Sequence, residues 1–151
     1  SARLFVPKKS AAADGDVLTA RQRKAQREVV AAETGDGAVT APVVLLTDTG
    51  TAGAAEIFAA ALRDNNRAQL IGERTLGRAA RQQLVKLPDG SGLLLSSVRY
   101  LTPKLEPIHE RGLLPDVEVN QPIVEFGAPP PPGDPTLDKA LEQFAAVKKA
   151  A

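Results

Sequence analysis

The sequence predicts an α/β domain with a core of parallel strands, a crossover helix, a β-hairpin and a C-terminal helix. Two patterns in the 151-residue chain indicate this fold class. Two apolar runs of strand length flank an amphipathic helical stretch, and a later pair of apolar runs is joined by a turn rich in glycine and proline. The chain is long enough, and at 43% hydrophobic residues apolar enough, for one domain with a hydrophobic core.

The first forty residues carry weaker signals. The apolar run ARLFV at 2–6 predicts a short strand. Residues 17–33 are rich in helix formers, but their apolar residues cluster at the two ends instead of forming a helical stripe. The local pattern therefore leaves a helix and a strand–turn–strand both open at 17–33.

The central stretch predicts a strand–helix–strand unit. PVVLLTD at 42–48 is an uninterrupted apolar run, typical of a buried strand, and the turn TGTAG follows it. DNN at 64–66 ends the helix, and AQLIGE at 68–73 predicts a second buried strand. A unit of this length predicts a right-handed parallel crossover. The predicted apolar face of the helix comprises Ala54, Ile57, Phe58, Ala61 and Leu62.

The remaining elements follow from turn and cap signals. PDGSG at 88–92 joins two apolar runs and predicts a hairpin, and GLLPDVEV at 112–119 predicts a further short strand. APPPPG at 128–133 predicts an extended spacer. After it, Asp134 can cap and Pro135 can begin a final helix.

The composition excludes several classes of function. A net charge of +1 and 3% aromatic residues provide neither the attraction nor the stacking surfaces that nucleic acid needs. Cysteine is absent and His109 is the only histidine, which excludes disulfides, thiol catalysis and a multi-histidine metal site. No apolar run approaches membrane-spanning length. We therefore expect no metal, cofactor, nucleic-acid partner or membrane span.

Four motifs follow one another between Pro42 and Val119, namely VVLLTDTGTAGAAEIFAAALRDNNRA, IGERTLGRAARQQ, LPDGSGLLLSSVRYLTP and HERGLLPDVEV. In order and spacing they resemble the nucleophile strand, turn and helix, the general-base turn, the hairpin and the closing segment of the C-terminal processing peptidases of the S41 serine peptidase family, also called tail-specific proteases. The resemblance implies a crotonase/ClpP-like core at 1–127, a spacer at 128–134 and a C-terminal helix at 135–151. It also favours strands at 17–33.

The family works by a serine–lysine dyad. A serine hydroxyl needs a base to take its proton, and a lysine can be that base when burial lowers its pKa. Carried over onto this sequence, the serine position falls on Gly53 and the lysine position on Arg78, with the family's separation of 25. Gly53 has no side chain with which to attack, and an arginine stays protonated. The resemblance thus implies a peptidase frame without its two reactive groups.

Neighbouring residues offer no clear substitute. Thr47, Thr49 and Thr51 are close in sequence to the first turn, but satisfying turn hydrogen bonds is the simpler role for them. Lys86 lies on the predicted hairpin, too far along the chain to be assumed close. His109 is expected to be a surface loop residue.

Two positions match supporting residues of the family. Asp64 ends the predicted helix where the family often has an aspartate, and we expect it to cap loop N–H groups. Gln82 follows Arg78 by four residues, where the family has a glutamine near its lysine. For Gln82, a solvated strand position and a retained pocket role both stay open.

The sequence therefore predicts an S41 domain without peptidase activity. The alternatives are a non-proteolytic binding or scaffold domain and a partner subunit of an active paralogue. Expected partners are polypeptide C-termini, further copies of the chain or a longer parent chain, and the resemblance implies an exported parent in the periplasm or cell envelope. The family's glycine-rich oxyanion segment and PDZ domain are not found in residues 1–151. We also expect that restoring serine and lysine will not restore turnover, with Glu73 a candidate acidic partner for Arg78.

Overall fold

The computed structural model of the chain describes residues 2–7, 17–23, 26–33, 36–122, 127, 129, 131 and 133–150. Its strands form one antiparallel and one parallel sheet. In chain order, the elements are β1 (Val17–Arg23), β2 (Gln26–Ala31), β3 (Val43–Thr47), α1 (Ala54–Asp64), β4 (Ala68–Gly72), β5 (Ala80–Lys86), β6 (Gly92–Leu101), β7 (Val117–Glu118) and α2 (Pro135–Ala150).

The predicted strand–helix–strand unit is formed by β3, α1 and β4. β3 and β4 pair in parallel, from Val43 opposite Ala68 to Thr47 opposite Gly72. The predicted short strand is β7, which pairs in parallel with the other side of β4 and completes a sheet of order β3-β4-β7. An α/β core with parallel strands and a crossover helix is therefore confirmed.

Helix α1 packs against two apolar clusters at once. Its alanines carry little bulk, so the helix can approach its neighbours closely, whereas Ala54 is exposed at the first residue of the helix. One cluster contains Ala59, Ala60, Leu70, Ala79, Ile108 and Leu113, and the other contains Val6, Ala32, Ala61 and Leu62.

Residues 17–33 form β1 and β2, so the strand alternative is correct and the helix alternative is wrong. The antiparallel sheet has the order β2-β1-β6-β5. β1 pairs with β2 on one side and with β6 on the other, where Ala20 lies opposite Leu101. These pairings satisfy the backbone of β1 on both sides, and tertiary pairing of this kind overrides a weak helix propensity.

The predicted hairpin is present as β5 and β6, but the described residues leave the apolar side chains near its tip exposed. The register places Leu84 opposite Leu94 on one face and Val85 opposite Leu93 on the other. Leu84 and Leu94 are 60% and 57% exposed. Because the ladder from β6 to β1 ends at Arg99, the outer part of the hairpin is a two-stranded ribbon within the described chain.

The predicted strand at 2–6 is wrong, because Ala2–Leu4 is a short 3-10 helix. The Ala2 carbonyl accepts hydrogen bonds from the N–H groups of Phe5 (3.0 Å) and Val6 (3.2 Å). Val6 is buried in the second cluster under α1, and the ring of Phe5 meets Phe58 edge-on, with centroids 6.0 Å apart. A five-residue apolar run has no period that separates these outcomes, so the contacts with α1 decide between them.

Helix α2 begins at Pro135 with Asp134 as its cap, as predicted. Asp134 Oδ1 accepts the N–H groups of Leu137 and Thr136, both at 3.0 Å, and these hydrogen bonds hold the pKa of Asp134 below its ordinary value. The helix packs on β3 and β4 with Thr136 and Ala140 buried. The spacer at 128–134 is described only in part, so the division at 127 and 134 stays a prediction.

We expect the Asp134 carboxylate to stabilise the fold at neutral pH but not in acid. Its pKa is lower in the folded state, so its contribution is complete above the unfolded pKa and is lost as the pH falls through the folded pKa. Asp134→Asn keeps a capping side chain without the charge. The Tm advantage of the unmodified chain over this variant should therefore shrink between pH 7 and about pH 2. A Tm difference that does not change with pH would contradict this role.

Candidate functional site

Two turns lie side by side at the carboxyl edge of the parallel sheet. Residues 48–53 follow β3 and residues 73–79 follow β4, and parallel neighbours deliver such turns to the same edge. The N–H of Glu73 donates to the Thr47 carbonyl at 2.8 Å, and the N–H of Leu76 donates to the Thr51 carbonyl at 2.9 Å. The fold therefore joins the two sequence segments that contain positions 53 and 78.

Glu56, in the first turn of α1, holds both turns with one carboxylate. The residue is completely buried. Oε1 accepts the hydroxyl of Thr75 at 2.5 Å and the N–H of Gly77 at 2.7 Å. Oε2 accepts the N–H of Gly53 at 3.0 Å and the N–H of Arg78 at 2.7 Å. Four hydrogen bonds fill the acceptor capacity of the carboxylate, and they tie the backbone of positions 53 and 78 to the same oxygen atom.

The loop at 108–113 holds the second turn from another side. The Thr75 hydroxyl accepts the N–H of Leu113 at 2.8 Å, and the N–H of Glu110 donates to the Gly77 carbonyl at 2.8 Å. Gly77 has a φ of 81°, and a Cβ there would lie 2.7 Å from the backbone nitrogen of Gly112. Only glycine fits this position, so the turn before Arg78 is built as one rigid piece with the loop.

Gly53 combines a strained backbone with open space. Its φ of 63° and ψ of −119° are unfavourable for residues with a side chain. A Cβ built at Gly53 meets no atom within 4 Å. The position has room for a side chain, but any residue other than glycine would carry strain of about 1–3 kcal/mol.

Arg78 is exposed, and its guanidinium makes no ion pair with the acidic residues that the structure describes. Glu73 as its partner is wrong, because Glu73 Oε1 instead accepts the N–H of Gln121 at 3.0 Å. The physical reason is that this hydrogen bond holds the Glu73 carboxylate at the segment after β7.

Among the threonines near the first turn, Thr51 satisfies turn hydrogen bonds, as the sequence favours. The Thr51 hydroxyl donates to Asp48 Oδ1 at 2.7 Å and accepts the N–H of Asp48 at 3.1 Å. The first of these bonds is the main reason that the pKa of Asp48 lies below its ordinary value. Thr47 is buried and its hydroxyl donates to the Glu73 carbonyl at 2.9 Å, whereas Thr49 is exposed.

The three other candidate residues, Asp64, Lys86 and Gln82, lie outside the two joined turns. Asp64 ends α1, about 15 Å from its start at 1.5 Å per residue, where Oδ2 accepts the N–H of Lys104 at 3.4 Å. Lys86 is at the far end of β5, opposite Gly92. Gln82 is exposed on β5, and no hydrogen bond joins its side chain to a described residue.

His109 is less exposed than a surface loop residue should be. Its side chain is 17% exposed, and Nδ1 is buried without a hydrogen bond to a described residue. It lies in the loop at 108–113 that packs against the second turn. His109 is therefore a loop residue, as expected, but its ring is only partly exposed.

Sequence reasoning missed the central role of Glu56, which it used only to anchor the alignment. The available signal was its position three residues after Gly53, at the third residue of a helix, where a glutamate can accept the N–H of the N-cap residue. That spacing accounts for one of the four hydrogen bonds. The other three come from residues 75–78, which only the tertiary structure brings to the carboxylate.

A comparison with known families decides the ancestry of these turns. The family model of peptidase family S41 matches residues 6–119. The chain belongs to peptidase family S41. The match includes both turns, Glu56 and the loop at 108–113, so the site just described is part of the S41 domain. Among the described residues, no group of three or more acidic or histidine side chains could hold a metal ion, and no helix could cross a membrane.

Several C-terminal processing proteases are similar to this S41 domain. The carboxyl-terminal-processing protease of Synechocystis is 38% identical over 141 residues, which are 93% of this chain and 31% of that protein. Carboxy-terminal processing protease CtpA of Bacillus subtilis is 37% identical over 71% of this chain and 23% of its own length. The solved structure of a photosystem II D1 C-terminal processing protease superposes with a TM-score of 0.64 at 34% identity, over 79% of this chain and 29% of that one. The chain thus spans less than a third of the length of these relatives.

Proposed function

We propose that this domain is a catalytically inactive S41 domain that binds polypeptides without cleaving them. The observation that carries the proposal is the identity of two residues in the joined turns. Glycine and arginine stand at positions 53 and 78, where the family resemblance places serine and lysine, while Glu56 keeps the frame that holds both positions together.

The chemistry at these positions supports the absence of catalysis. Acyl transfer by a dyad needs a nucleophilic oxygen and a base that can release it from its proton. Gly53 supplies no oxygen, and the guanidinium of Arg78 does not give up a proton in a protein. Thr51 is the nearest hydroxyl in the first turn, and it is engaged with Asp48 through both its donor and its acceptor.

Retention of a peptide site is supported by the intact scaffold. The two turns are still hydrogen-bonded to one another, to Glu56 and to the loop at 108–113, although no cleavage chemistry depends on them. Exposed Leu76, at 55%, adds an apolar surface on the second turn. For the whole protein, we propose an exported parent chain with further domains, because the similar proteases are much longer.

We expect no cleavage when the chain is incubated with an unfolded protein that has an apolar C-terminus. CtpA of Bacillus subtilis, assayed beside it, serves as the active control. Fluorescence anisotropy with a labelled peptide of the same C-terminal sequence should nevertheless detect binding. The proposal fails if cleavage survives repurification and disappears when a residue of this chain is mutated, or if no peptide binds.

A further inference from the structure

Position 53 has open space beside it, and position 78, on the neighbouring turn, carries a cationic side chain. A Cβ at position 53 would meet no atom within 4 Å, so the replacement by glycine leaves this space to a ligand. The backbone nitrogens of Gly53 and Arg78 both bond to Glu56 Oε2, at 3.0 and 2.7 Å, so the two residues start from neighbouring points. An arginine side chain is long enough to cover that separation.

Among the acidic residues that the structure describes, none forms an ion pair with the guanidinium of Arg78. The Glu56 carboxylate accepts the backbone N–H of Arg78, but its four acceptor positions are filled by that N–H and three other donors. It therefore has no acceptor position left for the guanidinium. Glu73 is engaged with Gln121, and no other described acid pairs with Arg78. Because an unpaired guanidinium presents a planar fork of N–H donors, it matches a carboxylate in a way that a lysine ammonium does not.

An apolar side chain completes the arrangement. Leu76 is 55% exposed on the second turn, and its N–H bonds to the Thr51 carbonyl of the first turn. The open space at position 53, Arg78 and the exposed leucine therefore all lie on the same pair of hydrogen-bonded turns. A polypeptide end supplies the complementary groups, namely a carboxylate and an apolar last side chain, whereas an internal peptide bond has no charge.

We propose that Gly53 and Arg78 form a recognition site for the carboxylate at the end of a polypeptide chain. This inference rests on the proposed function, since it takes the two positions to be those of the lost dyad. The chemistry of a serine–lysine dyad is consistent with this inference. When such a dyad hydrolyses a peptide bond, the product carries a new chain-terminal carboxylate at the serine position. The two replacements then act together, with glycine making room for the carboxylate and arginine binding it.

The test compares short fluorescein-labelled peptides that end in the same apolar residue as a free acid or as an amide. We expect the acid to bind about 10- to 100-fold more tightly, the range for a hydrogen-bonded charged group. Arg78→Gln should abolish this difference and Arg78→Lys should retain only part of it. Arg81→Gln, at an exposed arginine on β5 outside the two turns, is the matched control and should leave the difference unchanged.

The outcomes separate this inference from the proposed function. Equal binding of acid and amide would overturn the carboxylate site and leave peptide binding intact, whereas no binding of either peptide would overturn both. A preference for the acid that persists in Arg78→Gln would overturn the assignment to Arg78. An amidated peptide ending in glutamate tests the source of the carboxylate, and binding as tight as the free acid would rule out recognition of the chain end.

Discussion

Replacing Glu56 by glutamine should destabilise the domain by about 2–6 kcal/mol. The amide presents an NH₂ group where the carboxylate has an oxygen that accepts two hydrogen bonds, so two donors lose their acceptor. Two of the four donors, the Thr75 hydroxyl and the Gly77 N–H, are buried, and each unsatisfied buried donor costs about 1–3 kcal/mol. Such a loss is a large part of the stability of an ordinary domain, which is about 5–15 kcal/mol.

Urea unfolding followed by far-ultraviolet circular dichroism measures this effect, because the chain has no tryptophan and only one tyrosine. Glu142→Gln is the matched control. Its side chain is 67% exposed in an ion pair with Lys139, so its replacement should change the free energy of unfolding by less than about 0.5 kcal/mol. If Glu56→Gln were as stable as this control, the carboxylate would not be what holds the two turns together.

The double variant Gly53→Ser and Arg78→Lys should fold but remain inactive. A serine at position 53 has room for its side chain but must adopt a φ of about 63°, which strains the turn. A lysine at position 78 takes over an exposed site, where it stays protonated at neutral pH instead of acting as a base. Without the base, the rate falls by about 100- to 10,000-fold, the usual contribution of general acid–base catalysis.

Labelling by a serine-directed fluorophosphonate probe is the sensitive measurement, since it needs only an activated serine. CtpA of Bacillus subtilis should label rapidly, and the double variant should label no faster than the single variant Gly53→Ser. Rapid labelling of the double variant at Ser introduced into position 53 would show that the site still activates a serine. The expectation that an exposed lysine at position 78 cannot act as the base would then be wrong.

The sequence by itself determined the elements whose signals are contiguous. The apolar run at 42–48, the amphipathic stretch from Ala54 and the turn at 88–92 each contain their full pattern within a few residues. The same holds for the cap and first residue of α2, since Asp134 bonds to N–H groups only two and three residues away. Local patterns of this kind depend on backbone period and turn chemistry, which distant residues alter little.

The tertiary structure decided what depends on distant partners. Residues 17–23 and 26–31 are strands because β6 supplies a ladder for β1, and Ala2–Leu4 is a 3-10 helix that precedes Val6, which is buried under α1. At the site, composition and motifs located positions 53 and 78 but could not show that one buried carboxylate holds both. That arrangement follows from hydrogen bonds between segments about twenty residues apart, which only chain folding brings within reach.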